Sequence, residues 1–439
     1  MGVKNIQKIG SLTGISIVVA NMVGTGAFTS LGFQLEALSN TNTILSLWIL
    51  GGIVALCGAF SYAEIGTDIK KSGGEYTFLS QIYHPVIGYL SGWISLTVGF
   101  AAPIALATMA FTEYLPIKTG YPKLIGICLV VLITLVHSRS LNISSVFQNI
   151  STFLKVFFIL VFIAIGVILP ADDTATAINY DKSYLLEIGS AAFAINLIYV
   201  SYSYSGWNAA AYITEEFRNP RKSLPRALIG GTLIVTVIYT LLQYTMLKHA
   251  AFSDLAGKLN VGSICVEQML GSFPAKIFSG IISLFLVSGI SAMVWIGARV
   301  TSSIAKDHSL WHIFKSKEGA VPVKALYLQC GISIFLILTG SFSQVMMYCG
   351  MLLNISTLMV VLGVVLRRYR NKRNNIPVTD NFKSPLFPCM QIFFIIVSLW
   401  MIVFVVGNDF KASMVGVTNL VLGLITYFIS RKKDKRAKI

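Results

Sequence analysis

Residues 17–28 read IVVANMVGTGAF, an apolar run that is interrupted by two glycines around Thr25. Each glycine weakens a helix by about 1 kcal/mol relative to alanine. One interpretation is close helix packing through small residues, which is common in membranes and is favoured by this stretch taken alone. The other is an unwound segment whose free amides and carbonyls face a ligand, because irregular backbone survives at mid-membrane only beside a cavity or buried in protein.

Composition places this stretch inside a membrane. Of the 439 residues 55% are hydrophobic and only 12% are charged, whereas a soluble domain carries about a quarter charged residues. Apolar runs such as 44–66 and 86–111 are long enough to cross a hydrocarbon core about 30 Å thick. We therefore expect an all-α membrane protein with twelve transmembrane helices. The predicted spans start near Ile9, Ile44, Val86, Lys123, Ile150, Ser190, Ala227, Lys276, Lys324, Ser343, Phe387 and Ser413.

The net charge of +16 is distributed in a way that argues against a nucleic-acid partner. With the amino terminus in the cytoplasm, about 27 of the 34 Lys and Arg residues fall in inward segments, as the positive-inside rule demands. We therefore expect a multi-pass protein of the cell (inner) membrane with both termini cytoplasmic. The basic tail from Arg431 is interpreted as a topology anchor held near anionic lipid.

A second interruption lies in the sixth predicted span, where residues 196–208 read NLIYVSYSYSGWN. The hydroxyls of Ser201, Ser203 and Ser205 offer local hydrogen bonds that compete with the helix ladder. Interruptions in spans one and six, five spans apart, are typical of a five-plus-five inverted repeat with its binding site at the repeat interface. The chain would then comprise residues 1–170 (spans one to five), 171–370 (spans six to ten), and 371–439 with two extra helices and the tail.

Two facing interruptions suit a zwitterion. Helix amino termini carry a partial positive charge and unsatisfied N–H groups, which favour a carboxylate. Carboxyl-terminal helix ends and bare carbonyls favour an ammonium. The pattern therefore predicts an amino acid as the ligand.

Three motifs carry a resemblance to a known family. They are GTGAF from Gly24, YAEIGT and KSGGEY between Tyr62 and Tyr76, and YSGWN with EEFRNPRKSLPRA between Tyr204 and Ala227. Together they resemble the amino acid–polyamine–organocation (APC) superfamily, and within it the L-type amino acid transporters and the bacterial serine/threonine or alanine-serine-cysteine exchangers. The resemblance covers about the first ten spans. It implies the LeuT-type fold, with broken helices 1 and 6.

The resemblance also implies roles for residues of both interruptions. The carboxylate-binding break of span one would comprise Asn21, Met22, Gly24, Thr25 and Gly26. The facing break of span six would comprise Tyr202, Ser203, Ser205 and Gly206. Tyr202 falls where the family places an aromatic gate that covers the substrate from outside. The alternative for Tyr202 is an ordinary packed tyrosine.

Lys155 lies about 10 Å inside the fifth predicted span, where a charge is costly and often functional. Alternatively, the aliphatic chain of Lys155 could extend so that its ammonium reaches water at the membrane surface. Relatives of this kind carry a lysine in span five whose ammonium takes the place of a sodium ion between spans one and eight. The resemblance thus implies that Lys155 replaces the cation, near Ser288 or Ser291 and with Tyr239 as a polar neighbour, and that transport is sodium-independent.

The substrate class follows from the absence of Asp and Glu in both interruptions. We expect exchange of neutral L-amino acids, with a cationic amino acid or polyamine exchanger, or a proton-coupled permease, as alternatives. A nutrient receptor that binds without turnover is the alternative from another class. No catalytic residue, metal site or cofactor is expected, because the five histidines show no metal or triad spacing.

The loop between Glu113 and Pro122 bears on partners, because animal heteromeric relatives use a cysteine there to join a single-pass subunit. This loop contains no cysteine. We therefore expect no heavy-chain partner, and a monomer or homodimer.

Overall fold

The computed structural model describes residues 8–117, 120–139, 144–171, 184–317, 320–375 and 381–436, without the side chains of residues 144–149 and 433–436. Within these ranges the chain is helical, with one isolated bridge between Ile9 and Phe217 and no β-sheet. Its main helices follow the order of the predicted spans. They are α1a (Ser11–Met22), α1b (Gly26–Gln34), α2 (Thr41–Ile69), α3 (Pro85–Tyr114), α4 (Pro122–Arg139), α5 (Ser144–Ile168), α6 (Ala191–Ser203), α7 (Pro220–His249), α8 (Ser272–Asp307), α9 (Val323–Thr339), α10 (Phe342–Arg373), α11 (Cys389–Asn408) and α12 (Phe410–Arg436).

The lengths of these helices agree with membrane crossing. Among the described residues, nine helices are long and apolar enough to span a bilayer, and the pair α1a and α1b makes a tenth. Of the remaining two, α6 has 13 residues and α9 has 17. The prediction of an all-α membrane protein is confirmed, and the count of twelve spans stays a prediction.

Helix boundaries extend beyond the apolar runs. α7 begins at Pro220 rather than near Ala227, because proline suits the first helical position, where no N–H bond is needed. Hydropathy detects only the part of a helix that lies in lipid, so the water-exposed turns of α7 were missed.

The centre of the bundle depends on close packing by glycine. Among the long helices α2, α3 and α10 are the most buried, and α7 packs against both α2 and α1a. A Cβ on Gly52 of α2 would lie 2.2 Å from Cγ2 of Thr236 on α7. A Cβ on Gly231 of α7 would lie 2.6 Å from Val18 of α1a. Small residues therefore let α1a, α7 and α2 approach closely, as is common in membrane bundles.

The outer surface is apolar, as expected for contact with lipid. α4, α5 and α12 are the least buried of the long helices. Large apolar side chains such as Phe153, Leu284, Phe335 and Val403 are each more than 60% exposed. An exposed apolar surface of this extent would be unfavourable in water.

One end of the bundle, here called the basic end, brings together segments that are distant in sequence. Arg368 of α10 donates two hydrogen bonds to Glu64 of α2, at 2.6 and 2.7 Å. The amide of Ile9 donates to the carbonyl of Glu216 at 2.9 Å. The end of α12 packs against the 3₁₀ helix Ser309–Phe314. Both ends of the described chain therefore emerge at the basic end.

The opposite end is formed by the other set of loops. Glu187 accepts a hydrogen bond from the hydroxyl of Ser39 at 2.6 Å. The ammonium of Lys248 donates to the carbonyl of Leu169 at 2.6 Å, so a cation lies at the negative carboxyl-terminal end of α5. The described parts of the connections from α1b to α2 and from α5 to α6 thus meet at this end, together with the end of α7.

Candidate functional site

The first interruption is a break in the helix. Residues 23–25 join α1a to α1b, and the two helices are bent by 42°. Gly24 is exposed although Met22 and Val23 beside it are only 2% and 5% exposed. Because the first N–H groups of a helix have no partner within it, the start of α1b offers donors at this point. The GTG stretch is therefore unwound, and Gly26 also packs closely, as described below; that the free amides and carbonyls face a ligand stays a prediction.

The second interruption is also a break. α6 ends at Ser203, a turn follows over residues 204–208, and a 3₁₀ helix runs over Ala209–Glu216. Gly206 adopts a φ of +99°, a backbone conformation that residues other than glycine rarely adopt. The hydroxyl of Ser203 donates to the carbonyl of Tyr199 at 2.8 Å, a local bond of the kind expected from this serine-rich stretch.

The two breaks touch each other. A Cβ on Gly206 would lie 2.7 Å from the carbonyl oxygen of Asn21. A Cβ on Gly26 would lie 2.6 Å from Oγ and 2.9 Å from Cα of Ser203. The hydroxyl oxygens of Ser30 and Ser203 are 3.4 Å apart. Any larger residue at either glycine would separate the broken helices.

Two side chains of α7 form hydrogen bonds to backbone carbonyls beside the break of α1. The hydroxyl of Tyr239 donates to the carbonyl of Met22 at 2.5 Å. The amide of Gln243 donates to the carbonyl of Ala27 at 2.9 Å. Both side chains are fully buried. Polar groups of α7 thus replace part of the helix ladder that α1 loses, as backbone at this depth requires.

The predicted binding residues therefore lie in one region. Asn21 contacts Gly206 in the turn after α6, and Gly26 contacts Ser203 at the end of α6, while the carbonyl of Met22 accepts a hydrogen bond from Tyr239 of α7. Tyr202 is buried, 6% exposed, and lies close to Cys349 of α10. The gating role of Tyr202 stays a prediction.

Lys155 directs its ammonium towards α8. Its Nζ lies 3.7 Å from the position that a Cβ on Gly289 would occupy. Ser288, the neighbour of Gly289, is 1% exposed. Ser291 forms a hydrogen bond with His137 of α4 at 2.8 Å. The structure thus brings Lys155 beside α8, and a histidine of α4 engages Ser291.

A small cavity of about 20 Å³ adjoins the second break. Ser201 and Tyr204, together with Asn354 and Thr357 of α10, provide its polar lining. This volume holds about one water molecule. A whole amino acid would therefore need the surrounding helices to separate before it could enter this space.

Sequence reasoning missed an irregular segment in α3. Residues Ser95–Phe100 form a π-helical turn, a feature that often marks functional sites. A Cβ on Gly297 of α8 would lie 2.7 Å from Cβ of Phe100, so this turn packs directly on α8. Gly99 was its one signal in the sequence, and a single glycine predicts no π turn.

Sequence reasoning also missed Glu75, a carboxylate that contacts the second break. Glu75 is 4% exposed and lies in the short helix Gly74–Ile82 after α2. It accepts hydrogen bonds from Tyr62 of α2 at 2.9 Å, and from Asn208 and Tyr212. Both of its oxygens accept hydrogen bonds from protein groups.

Comparison with known proteins gives relatives along nearly the whole chain. A family model described as amino acid permease matches residues 9–429. The b(0,+)-type amino acid transporter 1 of Mus musculus is 28% identical, covering 96% of this chain and 88% of that protein. The Asc-type amino acid transporter 1 of Homo sapiens is 24% identical, covering 98% and 84%. The large neutral amino acids transporter small subunit 2 of Oryctolagus cuniculus is 26% identical, covering 96% and 81%.

The contact between the breaks predicts a specific crosslink. In a Ser30→Cys, Ser203→Cys double variant, mild oxidation is expected to form a disulfide, because the two hydroxyl oxygens are 3.4 Å apart. Peptide mass spectrometry detects the linked fragments despite the native cysteines. The matched control is Ser30→Cys with Ser201→Cys, whose second thiol lies towards the cavity. Equal crosslinking of both pairs, or of neither, would contradict the described contact.

Proposed function

The chain belongs to the amino acid permease family, in agreement with the resemblance carried by its motifs, and from this premise we propose that it is a sodium-independent exchanger of neutral L-amino acids. Its relatives are amino acid transporters and not enzymes, so amino acid transport is its general activity. Exchange, neutral specificity and sodium independence are the proposed refinements.

The contact between the two helix breaks is the observation that supports this mechanism most. The amino-terminal end of α1b supplies N–H groups and a positive dipole end for the substrate carboxylate. The carboxyl-terminal ends of α1a and α6 supply carbonyls for the ammonium. Because Gly206 touches Asn21 in the present conformation, substrate entry requires the breaks to move apart. We assign this movement to alternating access.

The positions of the breaks support the inverted repeat. One break lies in the first predicted span of residues 1–170, and the other lies in the first predicted span of residues 171–370. An odd number of spans per repeat makes the two copies run in opposite directions. Residues 371–439 would then add α11, α12 and the basic tail outside the repeat.

Sodium independence is supported by the placement of Lys155. The ammonium of Lys155 on α5 lies 3.7 Å from the position of a Cβ on Gly289 of α8, and the family resemblance implies that a lysine of span five takes the place of a sodium ion between spans one and eight. A fixed positive charge there repels a second cation by Coulomb's law. Tyr239 links α7 to the nearby break of α1 through its bond to Met22.

The role of Lys155 predicts the ion requirement. Uptake of labelled serine or alanine into proteoliposomes is expected to be unchanged when choline replaces sodium outside, because the lysine ammonium already supplies the positive charge. The same vesicles loaded with unlabelled substrate report exchange by trans-stimulation. Strict dependence on sodium would refute the assignment of Lys155.

Neutral substrates are supported by the charges around the breaks. The interruptions contain no Asp or Glu, and both oxygens of Glu75 already accept hydrogen bonds from protein groups. A cationic side chain would therefore meet no carboxylate within either interruption, although it could stack on Tyr202. The rabbit relative is named for large neutral amino acids. Cationic amino acid or polyamine exchange and proton-coupled uptake are the competing transport functions, and a non-transporting nutrient receptor is the competing class.

Competition distinguishes these substrate classes. Unlabelled alanine is expected to compete with labelled serine at least about tenfold more strongly than arginine does, since an uncompensated buried charge costs well over 1.4 kcal/mol. Stronger competition by arginine or a polyamine would support the cationic alternative. Saturable binding without accumulation inside the vesicles would support the receptor.

Topology and assembly complete the proposal. We place the basic end in the cytoplasm and the protein in the cell (inner) membrane, because Lys and Arg concentrate at that end. No heavy-chain partner is expected, since residues 113–122 contain no cysteine. The rabbit relative is named a small subunit, so the absence of a partner is a point on which this chain would differ. A monomer or homodimer is proposed.

A further inference from the structure

Glu75 is a buried carboxylate that the transport mechanism above does not use. The side chain is 4% exposed. Within the described part of the chain the ion pairs of α2 are those of Glu64 with Arg368 and Asp68 with Arg367, and none involves Glu75. A buried charge without a cation is costly unless hydrogen bonds replace its lost hydration. The three donors around Glu75 are therefore essential to its burial.

These donors belong to two different parts of the molecule. Tyr62 is on α2, and Glu75 lies in the short helix Gly74–Ile82 that follows α2. Asn208 is in the turn of the second break, two residues after Gly206. Tyr212 is in the 3₁₀ helix that follows. Asn208 and Tyr212 therefore lie on the basic-end half of the sixth span, whereas Glu75 lies in the connection between α2 and α3.

Backbone contacts extend the same junction. The amide of Gly73 donates to the carbonyl of Tyr212 at 3.1 Å. A Cβ on Gly74 would lie 2.7 Å from the Tyr212 ring. The amide of Ser72 donates to the Glu215 carboxylate at 3.3 Å, and the amide of Glu215 donates to the Ser72 hydroxyl at 3.1 Å. Residues 72–75 thus run along residues 208–215 with paired hydrogen bonds.

We propose that Glu75 is a positioning residue that couples the second break to closure of the basic end. The turn over residues 204–208 carries Ser205 and Gly206 of the predicted substrate residues together with the amide of Asn208. If the 3₁₀ segment moved away to open the basic end, Glu75 would lose two of its three donors and remain a buried, poorly solvated charge. The basic end therefore stays closed until a shift of the turn loosens Asn208. This proposal rests on the alternating-access function proposed above.

A matched pair of variants tests the coupling. Tyr62→Phe and Tyr212→Phe each remove one hydroxyl donor to Glu75 and keep the aromatic ring. Only the Tyr212 hydroxyl crosses to the moving segment. We expect Tyr212→Phe to favour the conformation open at the basic end, because a hydrogen bond to a charged group is lost only from the closed conformation.

The measurement is the KM for alanine from each face, in vesicles of defined protein orientation. For Tyr212→Phe the KM at the basic end is expected to fall and the KM at the opposite face to rise, so that their ratio changes about tenfold. Tyr62→Phe is expected to keep the wild-type ratio even if its melting temperature falls as much. In a Glu75→Gln background, adding Tyr212→Phe should change the ratio far less than it does in the wild type.

Other results overturn the proposal in distinguishable ways. An unchanged ratio in Tyr212→Phe, or an equal change in both variants, would give Glu75 a purely structural role while leaving transport intact. Absence of alanine transport by the wild-type protein would instead overturn the proposed function and this inference with it. Should Tyr212→Phe fail to fold, Asn208→Ala removes the other crossing donor and is expected to change the ratio in the same direction.

Discussion

The contact between two broken helices is the constraint on which the rest of the structure depends. Gly206 lies against the carbonyl of Asn21, and Gly26 lies against Ser203. Lipid offers no hydrogen bonds to backbone groups, so each break must be satisfied by protein. At the break of α1, Tyr239 and Gln243 of α7 supply such bonds. The close packing of α1a, α7 and α2 through glycine follows from the same need, because it brings α7 within reach of the break.

Much of this arrangement was predictable from the sequence. Long apolar runs gave the helices, and the glycines at 24, 26 and 206 with the serines at 201, 203 and 205 gave both breaks. These predictions succeeded because hydropathy and helix-breaking residues act locally. Helix starts in water were less accurate, as for α7 at Pro220, because no apolar pattern marks them.

The remaining features depend on contacts between distant residues. In the π turn of α3 the backbone hydrogen bonds span five residues instead of four. The amino-acid composition of this turn resembles that of any membrane helix. Glu75 lies in the connection between α2 and α3, where the side chain of a glutamate is normally expected to be exposed to water. Its burial depends on Asn208 and Tyr212, more than a hundred residues away. Similarly, Ser291 of α8 forms a hydrogen bond with His137 of α4, and their spacing along the chain gives no indication of this contact.

The central claim is that the two breaks hold a zwitterion, with N–H groups on its carboxylate and carbonyls on its ammonium. Competition by L-alanine, L-alaninamide and propionate against labelled alanine binding to the purified protein tests this claim most directly. Each analogue lacks one of the two charged groups, so each is expected to compete at least about tenfold more weakly than L-alanine. Competition by either analogue as strong as that of L-alanine would contradict the account.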